Sequence, residues 1–363
     1  MLLFLFNIVL FLLCAINPHF SLMKPGKIVL KLIITHFLLS GCTVQRVNGY
    51  HDDFANGRYD SEFPSTSISE SLDMISESVK KLDCIAFYAT YAFNPEDRIQ
   101  RNMISEEVIN KHSISQTISN ESVSGTATIV YHRNNLVGLI TCAHVIEFPD
   151  SVFTWSTKYP DALATVSVIV KQQTYVTGLP DGEPVEVVAM DKVKDIALLS
   201  RKLTSTNSPV QVLHYPIGNT SLFEWGSVVY IVGYPIGNLM VTKALVSNPK
   251  KNNKGFFLTD ALYNHGISGS PVFAIKDGLP NMEWVGMASS TSSTDLLIVK
   301  PATDMDKLQS GNQPYDGEVF LEKVKLINYG VTYSIPIEEI VTFIRRNRAA
   351  IEKIGFDFDT YFQ

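Results

Sequence analysis

The sequence is poor in charge and in cysteine. Only 18% of its 363 residues are Asp, Glu, Lys or Arg, while 45% are hydrophobic. A disordered chain needs the opposite balance, so the composition is that of a globular protein. Four cysteines are too few to staple a chain of this length into a disulfide scaffold. A basic excess is also missing. The net charge is −6, and the first 42 residues carry Lys24, Lys27 and Lys31 with no acid, which leaves −9 on residues 43–363. Nucleic-acid binding needs a basic face against the phosphates, so an acidic body argues against a nucleic-acid partner. His51, His112, His132 and His214 show no metal-ligand spacing. No apolar run reaches the roughly 18–20 residues of a membrane-spanning helix.

What the amino terminus does have is two shorter apolar runs, Met1 to Ile16 and Ile28 to Leu39, with Met23-Lys24-Pro25-Gly26-Lys27 between them. Read from Met23, the segment has the basic start, short apolar stretch and small residues of a signal peptide. Its end, Leu39-Ser40-Gly41-Cys42, resembles the bacterial lipobox, in which the Cys thiol is acylated and becomes the new first residue. On that resemblance residues 1–42 are an export segment that starts at Met1 or Met23. Cys42 is then the lipid attachment site, and the mature chain is an exported, membrane-anchored lipoprotein of the cell envelope. The bland alternative is an ordinary signal peptide, or a buried apolar strand, with a chance cysteine.

Residues 43–80 are polar and rich in Ser, Asp, Asn and Gly, and read as a tether with one short helix near Leu72–Leu82. From Cys84 onward short β-branched and aromatic segments recur, separated by turn residues such as Arg133-Asn134-Asn135 and Lys276-Asp277-Gly278. Many short strands without intervening helices imply an all-β fold, a sandwich or barrel. Residues 93–122 and 291–328 interrupt the series and read as insertions, the first as a long loop. At the end Ile337, Ile340, Val341, Ile344 and Ile351 share one helical face that stops near Gly355. Residues 81–355 thus form the main domain, with 356–363 as a tail.

The strongest chemical signal is Gly266-Ile267-Ser268-Gly269-Ser270-Pro271. Glycines around a serine let the backbone turn tightly and expose the hydroxyl. They also let the N–H groups of Gly266 and Ser268 converge on one spot, as an oxyanion hole requires. A bare serine is a weak nucleophile, so a histidine base and an orienting acid should exist. Leu139-Ile140-Thr141-Cys142-Ala143-His144 is an apolar strand ending in His, and Asp195-Ile196-Ala197-Leu198-Leu199 opens a strand with an Asp. Cys142 is two residues from His144. A Cys–His nucleophile pair, a metal site and a buried packing thiol are its three readings, and Cys84 is a candidate disulfide partner.

Taken in order, Thr-x-Ala-His, Asp-Ile-Ala-Leu-Leu and Gly-x-Ser-Gly-Ser-Pro resemble the chymotrypsin-fold serine proteases. The bacterial HtrA-like branch is the most similar, through Ser124-Gly125-Thr126-Ala127, Gly233-Tyr234-Pro235-Ile236-Gly237 and Tyr329-Gly330-Val331-Thr332. The resemblance implies two six-stranded antiparallel β-barrels with a C-terminal helix. It makes Ser268 the nucleophile, His144 the general base and acid, Asp195 the residue that fixes the imidazole, and Gly266 and Ser268 the oxyanion donors. Leu262, six before the nucleophile, falls at the base of the specificity pocket. No cofactor and no metal are implied, and the substrates are proteins or peptides. The pattern also departs from the family. Ile267 stands where Asp or Asn is usual, Ser270 where a second Gly is usual, and no PDZ domain is expected after the protease. The alternative function is a catalytically silent protease-fold lipoprotein that binds envelope proteins.

Overall fold

Among the described residues there are thirteen strands: β1 Val79–Phe93, β2 Ser113–Arg133, β3 Leu136–Thr141, β4 Ser151–Trp155, β5 Leu163–Val176, β6 Glu186–Asp191, β7 Ile196–Lys202, β8 Val228–Gly233, β9 Met240–Asn248, β10 Phe257–Thr259, β11 Pro271–Ile275, β12 Met282–Pro301 and β13 Val319–Pro336. Among the described residues four α-helices accompany them: α1 Ser69–Ser78, α2 Glu106–His112, α3 Ile337–Arg346 and α4 Arg348–Lys353. The computed structural model describes residues 55–64, 66–204, 210–250, 252–301 and 319–358. Cys42 and the export segment lie outside the described residues, and no described helix is long and apolar enough to cross a membrane.

The strands form two antiparallel bodies. The second is a closed six-stranded barrel, β10-β13-β12-β11-β8-β9. The first is a seven-stranded sheet, β4-β5-β1-β2-β3-β7-β6. It curls until Val185, just before β6, donates its N–H to Thr174 of β5 at 2.8 Å. It is therefore a half-barrel with β4 as an added edge, where six strands were expected. The architecture is the chymotrypsin-like one, with helices at the C-terminal end.

β8 shows why some strands are apolar throughout. Its six residues Val228–Gly233 are all buried. Val229 and Ile231 point into the second barrel, with Val246, Phe257 and Val285. Val228, Tyr230 and Val232 point the other way, into a cluster shared with Leu139 and Leu198 of the first sheet. β11 divides in the same manner, with Val272 and Ala274 inward and Phe273 and Ile275 outward. Both faces are covered, so alternation disappears from the sequence. The two bodies meet along this shared core.

Several expectations are revised. Residues 93–122 are not a loop. β1 runs on to Phe93 and pairs with β2 as far as Ser113, and the connection holds two 3-10 turns and α2. Residues 291–301 and 319–328 likewise continue the β12–β13 ladder out to Pro301 opposite Val319. Residues 113–122 and 291–294 are rich in Ser and Thr and mostly exposed, so their pairing leaves little apolar alternation to read. Part of the supposed tether is docked. Tyr59 is 3% exposed, donates its hydroxyl proton to Glu283, and is followed by Asp60, whose N–H and C=O bond Ile275 and Val228. The supposed tail is docked as well, since Phe356 and Phe358 pack on Tyr131 with ring centroids 4.7 and 5.5 Å away. α1 lies at 69–78, and residues up to Leu82 already belong to β1.

Candidate active site

His144 follows β3 directly, on the short 3-10 turn Ala143–Val145. Asp195 ends the turn between β6 and β7. Asp191 Oδ1 accepts the N–H groups of Val193 and Lys194, and Asp195 itself has φ +59°. Asp tolerates that left-handed region better than most residues. The turn aims its carboxylate at His144, whose backbone N–H and ring Nδ1 both reach Oδ1 at 2.9 Å. Nδ1 is also 2.9 Å from Oδ2. With both carboxylate oxygens facing it, Nδ1 carries the proton, and Nε2 is left as an acceptor. Nε2 stands 3.0 Å from Ser268 Oγ.

Burial alone would raise the Asp195 carboxyl. The hydrogen bond and charge of the His144 ring, together with the Ser289 hydroxyl and the His144 N–H, outweigh it and hold the group below its ordinary range. Asp195 is thus kept ionised beside the imidazole. Ser289 Oγ donates to Asp195 Oδ2 at 2.6 Å, and the Ser289 carbonyl lies 2.7 Å from Ser268 Oγ. Ser289 touches both ends of the relay. It lies in a Ser-Ser-Thr-Ser-Ser-Thr run that offers no local motif, and reading the sequence assigned it no role.

The Ser268 loop is fastened by Thr126 and Ala288. Thr126 N–H donates to the Ser268 carbonyl at 2.8 Å, and Thr126 Oγ1 donates to the Gly266 carbonyl at 2.7 Å. The same Oγ1 accepts the Tyr234 N–H at 2.9 Å. Gly269 donates its N–H to Ala288 at 2.8 Å. Both glycines are required by contact. A Cβ on Gly266 (φ +99°) would lie 2.3 Å from the Tyr234 carbonyl oxygen, and one on Gly269 (φ +92°) 1.9 Å from that of Thr126. Thr126 is the second residue whose part the sequence did not disclose, although it sits in the Ser-Gly-Thr-Ala segment already noted.

The His265 carbonyl accepts the Ile236 N–H at 2.7 Å. In a planar trans peptide the following N–H, that of Gly266, points the opposite way. Among the described residues neither the Gly266 nor the Ser268 N–H has a hydrogen-bond acceptor. Two unpaired donors therefore flank the Ser268 hydroxyl. Ile236 makes its bond from φ +51°, a strained conformation for a β-branched side chain. Ile267 is buried in the second barrel's core, and His265 shows no contact with the relay.

Cys142, His144 and Asp195 place potential metal-ligand atoms within 4.8 Å of one another. The donor set is a poor one for a metal. Both Asp195 oxygens are engaged by His144 and Ser289. Burial, with Asp195 beside it, pushes the Cys142 thiol well above its ordinary pKa, whereas a ligand must be a thiolate. Cys142 donates weakly to the Ala288 carbonyl at 3.3 Å. Cys84 and Cys142 are both buried free thiols. Leu262 is 63% exposed. It lines a cleft of about 640 Å³ with Phe63, Ile236, Met240, Val241 and Asn264, to which neither Ser268 nor Ser289 contributes.

Comparison with known proteins bears on residues 125–286, which match the family model of the trypsin-like peptidase domain. No curated protein matches the chain. Among solved structures, the serine endoprotease from Yersinia pestis aligns with 79% of this chain and 68% of its own, at 17% identity and a TM-score of 0.41. The region similar to a trypsin-like peptidase thus holds all of His144, Asp195, Gly266 and Ser268.

Proposed function

We propose that the chain is a serine endopeptidase. The observation that carries this reading is the unbroken path from Asp195 through His144 to Ser268, ending beside two unpaired backbone N–H groups. Ser268 Oγ attacks the scissile carbonyl carbon while its proton passes to His144 Nε2. The oxygen gains negative charge as the tetrahedral intermediate forms, and the Gly266 and Ser268 N–H groups donate to it. Asp195 stays ionised and stabilises the imidazolium. His144 then gives its proton to the leaving amine, which departs and leaves an acyl ester on Ser268. A water molecule, deprotonated by His144, hydrolyses the ester and restores the site. Proteins or peptides are the substrates, and no cofactor enters any step.

The test is labelling of the purified protein with a fluorophosphonate probe, which phosphonylates an activated serine. The wild type should be labelled and Ser268→Ala should not. Equal labelling of both would sink the assignment. We propose further that Cys42 carries a lipid that tethers the enzyme in the cell envelope, a reading supported by Leu39-Ser40-Gly41-Cys42. More than one acyl chain on that cysteine would hold the protein firmly at a membrane. Mass spectrometry of the native amino-terminal peptide checks it, and an intact Met1 or an unmodified Thr43 start would refute it.

A further inference from the structure

The cleft that Leu262 lines takes no part of its wall from His144, Ser268 or Ser289. Its volume of about 640 Å³ is that of a small-molecule site. One wall is β9, from residue 240 to 245. Loops 235–238 and 260–264 supply the other, and Phe63 of the docked amino-terminal segment completes the lining. Phe63, Ile236, Met240, Val241 and Leu262 are all exposed there. Large apolar side chains gathered around a concavity and left open to water mark a binding site.

The lining holds one acid and one cation. Asp260 is turned to the backbone of β9, its Oδ1 accepting the Leu245 N–H at 2.7 Å. Lys243 has its Nζ 3.6 Å from the centre of the Phe63 ring, and among the described residues it has no carboxylate partner. The cleft therefore offers an apolar trough and an ammonium group.

Both loops of the cleft lead to the oxyanion donors. Ile236 N–H bonds the His265 carbonyl, and the Asn264 carbonyl accepts the Ile267 N–H at 3.2 Å, so Gly266 lies between two residues that the cleft loops hold. Ile236 makes its bond from φ +51° with a side chain 72% exposed. A strained residue persists where its surroundings over-determine it, and here little packs on the side chain. A molecule filling the cleft would cover it.

We infer that the cleft binds a fatty acid, with the alkyl chain in the apolar trough and the carboxylate on Lys243, and that the bound chain holds the oxyanion loop in shape. Charge complementarity fixes the head group, and the apolar wall fixes the tail. A protein partner would need a broader surface than a cleft of this size offers. The binding stands on the lining alone. Its effect on rate rests on the serine-endopeptidase reading.

The experiment is calorimetric titration of the intact protein with dodecanoate, below the concentration at which it forms micelles. One saturable site is expected. Decanoate, two methylenes shorter, should bind about tenfold more weakly. Dodecyltrimethylammonium has the same chain with a cationic head and should also bind at least about tenfold more weakly. Lys243→Gln, a change at the surface, should bring the two head groups within about threefold of each other. In peptide hydrolysis, dodecanoate should raise kcat by at least about threefold, half-maximally at the calorimetric Kd. Ile236→Gly takes a positive φ without strain and should not respond. No saturable site, equal affinity for both heads, or indifference to Lys243→Gln would overturn the inference. So would tighter binding of a short peptide with an apolar carboxyl-terminal residue, which would give the cleft to a polypeptide end. Binding that leaves kcat unchanged, or an undiminished response in Ile236→Gly, would overturn the link to the oxyanion loop. Failure of the endopeptidase reading is distinct, because Ser268 would then go unlabelled and the peptide uncut while calorimetry still reported the site.

Discussion

The two bodies hold their candidate active-site residues by different means. The first positions His144 and Asp195 itself, at adjacent ends of the paired strands β3 and β7, with the Asp195 carboxylate bonded to the His144 backbone as well as to its ring. The second carries Ser268 on a loop whose shape is imposed largely from across the interface, by Thr126 of β2. The dependence is reciprocal. The second body's Ser289 returns a hydrogen bond to Asp195. A pair that must share a proton is fixed by rigid strands. The loop that must present two free N–H groups cannot satisfy its own backbone and needs outside partners.

The largest effect should come from cutting the relay that joins the bodies. Replacing Ser268 or His144 with Ala should lower kcat by about 10⁴–10⁶, and replacing both should cost little more, because such residues act as a unit. Steady-state kinetics on one peptide substrate measures all three. Additive losses would mean that the two bodies contribute independently, and the comparison would fail.

A smaller but still large effect should come from Thr126. Thr126→Val keeps shape and removes the hydroxyl, leaving the Gly266 carbonyl and the Tyr234 N–H without their partner. We expect about a hundredfold loss of kcat, by analogy with removing one oxyanion donor, with KM little changed. Destabilisation should be about 1–3 kcal/mol. Thr126→Ser restores the hydroxyl and should recover most of the rate. A structural role alone would lower stability without this split between kcat and KM. Equal kinetics for Val and Ser would show that the nucleophile loop holds its own shape.

How much of this was legible follows the same division. His144, Asp195 and Ser268 could be read from the sequence because each sits beside local pattern: an apolar strand ending, an apolar strand opening, a glycine-flanked serine. Thr126 and Ser289 act across the interface on residues 140 and 94 positions away, and nothing near them in sequence marks that. The all-β character was legible from the recurrence of short apolar segments, whereas the two barrels were implied only by the resemblance to the chymotrypsin-fold proteases. The long arms were not, because a ribbon exposed on both faces needs no apolar alternation, and Ser and Thr serve in loops and strands alike. Tyr59 and Phe356 escaped for a related reason. A single aromatic anchor is enough to dock a polar segment, and composition averages it away.

A pH series sharpens the first body's part. The folded Asp195 carboxyl titrates below its unfolded value of about 3.9. The sign is that of a depressed carboxylate: the stabilisation is complete above about pH 4 and disappears as pH falls through the lower folded value. Thermal melts of the wild type and Asp195→Asn should therefore differ by a constant amount from about pH 7 to pH 5 and converge toward pH 2. A difference that grew on acidification would reverse the assignment, making His144 and Ser289 poor partners for the charge.

The smallest effect concerns the second body, at Ser270, one of the two loop residues that depart from the pattern of the peptidases the sequence resembles. Ser270 is fully buried and its hydroxyl has no partner. It fits because Gly233 opposite has no side chain, a Cβ there falling 1.8 Å from Ser270 Oγ. Its backbone is held independently, N–H to Ile267 and C=O from Ala288, so the hydroxyl contributes nothing visible to the loop's shape. Removing an unsatisfied buried hydroxyl relieves its desolvation, while the void left is only one oxygen in size. Ser270→Ala should raise stability by about 0.5–1 kcal/mol and the melting temperature by about 1–4 °C, with kcat/KM within twofold. If the loop were held from within, through this hydroxyl, the same change would lower both stability and rate. The division between a self-supporting first body and an externally shaped nucleophile loop would then have to be redrawn at Ser270.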